Sequence, residues 1–248
     1  MSTSALSEPV VALSEGQRLI NTFIAPSKTF TDLKRSAAWW APFLITAIVS
    51  LLFVYVVDQK VGFSKVVENQ LRASPKQADR IERLPAADRE KAMRQQVTIT
   101  KIFSYSYSVF ILLWYAIVAA ILLASFKFGA GADVNYKTVF ALTVYAGLPG
   151  ILKAVLAMIS ILAGVSTDSF TFQNPVATNP GYFVDVTESP VLHNLLTYFD
   201  VFTIWVLAIA AIGVTCIAKV KRGTAFGVVF GWYVILILIG VGATAAFS

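Results

Sequence analysis

The sequence predicts an all-α fold: a polytopic helical membrane protein with five transmembrane helices, an N-terminal interfacial amphipathic segment and a charged, helical first outer loop. Three observations predict it. Of 248 residues, 57% are hydrophobic and 14% charged, against roughly 25% charged in soluble domains. The apolar residues gather into five runs, at 40–57, 108–126, 139–163, 199–218 and 225–247, each near the ~20 residues a helix needs to cross the hydrocarbon of a bilayer. Finally, the runs are apolar all round, without the one-sided stripe of a soluble core helix.

The domain division follows from those runs: an interfacial segment at 1–39 and one membrane domain at 40–248. The first 38 residues contain no apolar stretch ending in a small-residue cleavage site, so no cleaved signal peptide is expected. Cys216 is the single cysteine, which excludes a disulfide within the chain.

In the N-terminal segment, Ser14 and Gln17 have the spacing of a capping box. Leu19, Ile20, Phe23 and Ile24 fall on one helical face and Pro26 ends the turn. Phe30 and Leu33 continue the stripe beside Lys28, Lys34 and Arg35, a composition that suits a helix lying among headgroups. Trp39 and Trp40 follow at the start of the first span, where indole rings anchor a helix to the interface.

The loop at 58–107 holds ten of the twenty lysines and arginines and six acids. Ser74-Pro75 and Pro85 read as helix starts, and Glu68/Arg72, Asp79/Arg83 and Glu90/Arg94 are acid-before-base pairs at helical spacing. Short solvated helices leading into the second span are expected. The interleaved signs never form the uncompensated basic stripe of a nucleic-acid-binding surface, so no nucleic-acid partner is expected.

The third run carries Pro149, Gly150 and Lys153 in its middle. Proline removes a helical hydrogen bond and glycine loosens the backbone, while an ammonium at the centre of a span costs about 2.5–3.5 kcal/mol on insertion scales. Three surroundings would accept that charge: carbonyls freed by the break, water in a cleft, or an interface reached because the span is two half-helices.

The loop at 164–198 has no lysine or arginine and is rich in Pro and Asn, so irregular structure is expected. The other two loops are short and basic, with Lys127 and Lys137 in one and Lys219, Lys221 and Arg222 in the other. This asymmetry predicts a cytoplasmic N-terminus and an outside C-terminus, the long first loop dissenting with charges its own acids largely balance. A bacterial inner membrane is the expected location.

Asp200 opens the fourth run, where an acid suits the helix dipole and is also free to meet a partner. Gly223, Gly227 and Gly231 repeat every four residues in the fifth run, a strip that lets another helix approach, within the chain or from a second copy. The acids Asp133, Asp168, Asp185 and Glu188 near the span ends are not brought together by their spacing. His193 and Cys216 are too few for a zinc site, "GAGAD" at 129–133 lacks the lysine of a phosphate loop, and no nucleophile elbow or metalloprotease motif occurs. No catalytic, metal or cofactor site is expected.

Certain stretches resemble the Yip family of Ypt/Rab-interacting membrane proteins, in its bacterial branch. They are "IAPSKTFTDL" and "WWAPFL", then "FKFGAGADVNYKTVFALTVYAGLP", then "YFDVFTIWVLAIAAIGVTCIAKVKRGTAFGVV". The resemblance covers about two thirds of the chain and implies five spans, a cytoplasmic N-terminus and no enzymatic activity. The D-L-Y-G-P motif of the eukaryotic members is absent, so their binding of Rab-type GTPases does not carry over. The expectation is a non-enzymatic scaffold or adaptor that organises membrane partners or lipids, with homo-oligomerisation as one outcome. The alternative is a small-solute permease or transporter subunit built on Pro149 and Lys153.

Overall fold

A computed structural model describes residues 12–164 and 170–247; Asp168 lies outside the described residues. The helices run in the order α1 (Glu15–Ile24), α2 (Pro26–Asp32), α3 (Trp40–Lys60), α4 (Phe63–Arg72), α5 (Pro75–Glu82) and α6 (Ala86–Tyr105). They continue as α7 (Tyr107–Ala124), α8 (Tyr136–Ala146), α9 (Pro149–Leu162), α10 (Pro190–Thr197), α11 (Val201–Ala218) and α12 (Arg222–Phe247). A π turn at Ser125–Gly129 extends α7, and Pro180–Phe183 forms a 3-10 turn. No strand occurs among the described residues.

Among the described residues, five spans are long and apolar enough to cross a membrane: Trp40–Lys60, Tyr107–Gly129, Tyr136–Leu162, Val201–Ala218 and Arg222–Ala246. The first runs one turn beyond the expected 57, because Asp58 at its polar end is held by Lys101 and Tyr105 of α6 at 2.9 and 3.0 Å. The fourth starts two residues late because Asp200 caps it. The third is the central one, with 61% of its most apolar window buried against 11% for the fifth, so the fifth span lies at the periphery.

The break expected in the third span is present. Leu148 and Ile151 donate to carbonyls three residues back, at 3.1 and 3.0 Å, so the chain tightens before Pro149 opens α9. At Gly147 the second span comes so close that a Cβ would overlap the Tyr115 ring and hydroxyl.

The N-terminal segment folds differently from the expected surface stripe. The Ser14–Gln17 capping box forms in both directions, at 3.2 and 2.9 Å, and Pro26 turns the chain so that α1 and α2 make a helical hairpin. Phe30 and Leu33 are fully buried in the main core with Leu142, Tyr145, Ile209 and Val214, and Phe23 meets Trp205 edge-on at 5.9 Å. Ile20 and Ile24 point outward, 62% and 75% exposed. The four apolar residues of α1 therefore serve two faces, because the third face is taken by a buried arginine, Arg18. The hairpin runs along α11 from Cys216, whose carbonyl accepts from Lys34 at 3.4 Å, to Trp205. That distance is about 16 Å of helix.

At the opposite end of the bundle the two long loops fold on each other. Val57, Val66, Ile161 and Phe170 form a second apolar cluster, and Asn69 donates to the Phe170 carbonyl at 2.9 Å. Glu90 and Arg94 pair at 3.1 Å as their spacing predicts, whereas Glu68 turns back to Lys65 at 3.8 Å. The loop expected to be irregular contains α10, started by Ser189-Pro190 and held against α12 by Asn194, which donates to the Gly240 carbonyl at 3.1 Å and to Thr244. Its leucines supply the apolar side that the Pro and Asn content masked.

Candidate functional site: two charged locks on the third span

Asp200 sits where the loop at 170–198 enters the fourth span. Its backbone is extended and its Oδ1 accepts from the amides of Phe202 and Thr203, at 3.0 and 3.1 Å, which satisfies two of the orphan donors of α11. Oδ2 accepts from the Thr178 hydroxyl at 2.5 Å and from Lys153 Nζ at 2.9 Å. The carboxylate is 2% exposed and takes four donors, while Lys153 is 22% exposed. The span is two half-helices, as one of the three expected surroundings required, but the ammonium's acceptor is a carboxylate that none of the three named. The Val201 amide also donates to the Thr178 carbonyl at 3.1 Å, so the lock joins α9, α11 and the loop.

A second lock ties the hairpin to the first half-helix of the same span, on the other side of the break. Arg18 is 1% exposed and donates to Asp32 Oδ2 from Nε and Nη2, at 2.7 and 2.6 Å, and to Glu15 at 3.1 Å. Arg35 completes the Asp32 carboxylate at 2.9 and 3.1 Å. Tyr145 of α8 donates to the other Glu15 oxygen at 2.9 Å. The Thr22 and Thr29 hydroxyls both donate to the Arg18 carbonyl, at 2.8 and 2.9 Å, so polar atoms brought inside with the arginine are matched. Burial alone would raise the Asp32 pKa, but the hydrogen bonds from Arg35 and Arg18 outweigh it and hold the carboxyl below its ordinary value.

Composition alone did not reveal this second lock. A signal was nevertheless available: Arg18 and Asp32 lie seven residues either side of Ala25, just before the Pro26 turn, so an antiparallel hairpin brings the opposite charges together.

The remaining candidates are dispersed. Pro149 is buried as the first residue of α9, and Gly150 is exposed with open space at its Cβ position. Gly223, Gly227 and Gly231 likewise meet nothing within 4 Å, so no other described helix approaches that strip. Trp39 turns inward, edge-on to Phe140 and Phe43 at 5.2 and 5.8 Å, whereas Trp40 is exposed. No group of three or more potential metal ligands occurs among the described residues.

A cleft of about 1600 Å3 opens between the first loop and the loop at 170–198, and a cavity of about 650 Å3 lies at the hairpin end. Neither is lined by Pro149 or Lys153.

Compared with known proteins, the chain matches the model of the Yip1 domain over residues 20–244. No curated protein and no solved structure matches it. The matched region starts inside α1 and ends inside α12, taking in both locks except Glu15 and Arg18. With five apolar spans and a family match over almost its whole length, the chain is an integral membrane protein of the Yip1-domain family.

Proposed function

We propose that this protein is a non-enzymatic scaffold that organises membrane partners or lipids around a bundle whose third span is locked on both sides of its break. The observation that carries this reading is the use made of the charged side chains in and beside that span. Asp200 has four donors and Lys153 faces it, while Glu15, Arg18, Asp32 and Arg35 balance one another. These groups hold helices together and leave no pair poised for proton transfer or nucleophilic attack. The break at Pro149 then serves architecture, letting α8 pack on α7 while α9 turns its lysine toward α11.

The same reading places the N-terminus in the cytoplasm of a bacterial cell and the C-terminus outside. It is supported by the gathering of Lys34, Arg35, Lys127, Lys137, Lys219, Lys221 and Arg222 on the linkers and helix ends at one side of the bundle.

Affinity purification of the full chain from native membranes tests the scaffold, in parallel with solute flux into vesicles holding the double variant Lys153→Met/Asp200→Asn, which removes the ammonium without stranding the carboxylate. The expected result is reproducible recovery of a protein or lipid partner that persists in the double variant. Repeated recovery of no partner, or a specific flux that the folded double variant abolishes, overturns the proposal in favour of a permease.

A further inference from the structure

The cavity at the hairpin end is bounded by the linker from Leu33 to Trp40 on one side and by Asn135, Lys137 and Thr138, at the start of α8, on the other. Among the described residues its lining includes Lys34, Arg35 and Lys137 and no carboxylate. The charge balance around it is uneven. Glu15, Arg18, Asp32 and Arg35 are two acids and two bases, joined in one network that sums to zero. Lys34 and Lys137 stand outside it, and Lys34 has only a 3.4 Å contact to the Cys216 carbonyl. Among the described residues neither lysine has an ion pair, so two ammonium groups face one cavity.

Its position in the bilayer follows from the elements that frame it. The first span begins at Trp40 and the third at Tyr136, so the cavity lies where two spans leave the hydrocarbon. Trp39 and Trp40 are lining residues, and Trp40 is 57% exposed. From Trp40 an exposed apolar track runs down α3 through Leu44, Ile48, Leu51 and Tyr55, at helical spacing on one face. Exposed apolar residues are what any span turns toward the bilayer, α7 and α12 included, so the track by itself selects no ligand. It does set acyl chains beside the cavity, so that a phospholipid places its phosphate between the ammonium groups without leaving the membrane.

We infer that this cavity seats the headgroup of an anionic phospholipid, with Lys34 and Lys137 pairing its phosphate and the Trp40 face receiving its acyl chains. Arg35 belongs to both the cavity and the Asp32 lock, so the bound lipid braces the hairpin against α8. The inference deepens the scaffold reading by naming a lipid among the organised components.

The test is native mass spectrometry of the detergent-purified full chain titrated with phosphatidylglycerol, phosphatidylcholine or inorganic phosphate. Phosphatidylglycerol should bind saturably and in preference to the other two. Lys34→Gln/Lys137→Gln should weaken it roughly 25-fold, about five-fold per ammonium removed at ~1 kcal/mol each. Both lysines are exposed, so folding should not suffer. Lys127→Gln/Lys221→Gln, at the same end but outside the cavity, should keep full affinity. Equal binding of phosphatidylcholine, equal binding of phosphate alone, or an equal loss in the control pair would each overturn the site. Partner recovery with lipid selectivity lost sinks the lipid site alone. Lipid selectivity with no protein partner recovered leaves the site standing and removes the protein-scaffold reading.

Discussion

Lys153 and Asp200, forty-seven residues apart in sequence, meet at 2.9 Å across the third and fourth spans, and the aspartate is at the same time the N-cap of the fourth. Each role explains the other. A capping carboxylate with two amides and a hydroxyl already bound is fixed in place, so it offers the lysine a partner that costs little further ordering.

Removing one member of a buried pair leaves an uncompensated charge, which costs about 3–5 kcal/mol. Lys153→Met strands the 2% exposed carboxylate and should lie near the top of that range. Asp200→Asn keeps an oxygen for the cap and leaves only the partly exposed ammonium, so its loss should be smaller. The double variant Lys153→Met/Asp200→Asn should recover most of the stability. Thermal unfolding in detergent checks this as a double-mutant cycle; additive losses would show that the two residues do not act as a pair.

The hairpin lock has a pH window set by Asp32, whose pKa is held below its ordinary 3.8. A depressed acid contributes stability that is complete above the unfolded value and is lost as pH falls through the folded one. Hydrogen exchange over residues 15–35 should therefore stay protected at pH 5 and 4 and rise only below that. In Asp32→Asn the protection should be reduced throughout and lose its acid dependence.

Glycines separate the packed faces from the open one. Gly147→Ala drives a methyl into Tyr115, and overpacking of this kind costs about 1–3 kcal/mol. Gly227→Ala meets open space in the second turn of α12, where alanine is the better helix former by about 1 kcal/mol. Unfolding midpoints in detergent should fall for the first and hold or rise for the second.

Gly213 is the point at which the hairpin enters the core, since a Cβ there would lie 2.9 Å from both Phe30 and Leu142. Gly213→Ala should loosen α2 from α11 while the spans persist. A Thr29→Cys substitution in a Cys216→Ala background places a thiol that is buried in the parent, and it should then react faster with a maleimide.

Orientation is read most directly at Glu188, exposed in the loop without positive charge. Glu188→Cys in a Cys216→Ala background should be modified by a membrane-impermeant maleimide in intact cells. Modification only after the cells are opened would reverse the assignment of sides.

Particular residues show how far the sequence reached. The five spans, the Pro149 break, the Ser14 cap and the helix starts at Pro75 and Pro85 were legible because each rests on local chemistry: run length against bilayer thickness, a missing amide, a side chain three residues from its donor. Asp200 and Lys153 could be singled out for the same reason, each being the one charge in an apolar run. Their pairing, the burial of Arg18 between Asp32 and Glu15, the Tyr145 bond that ties the hairpin to the third span and the empty space beside Gly223, Gly227 and Gly231 were decided only by the tertiary structure. In the membrane every helix satisfies its own backbone, so sequence determines which segments cross. Which faces meet depends on a few polar side chains and close approaches between segments far apart in the chain.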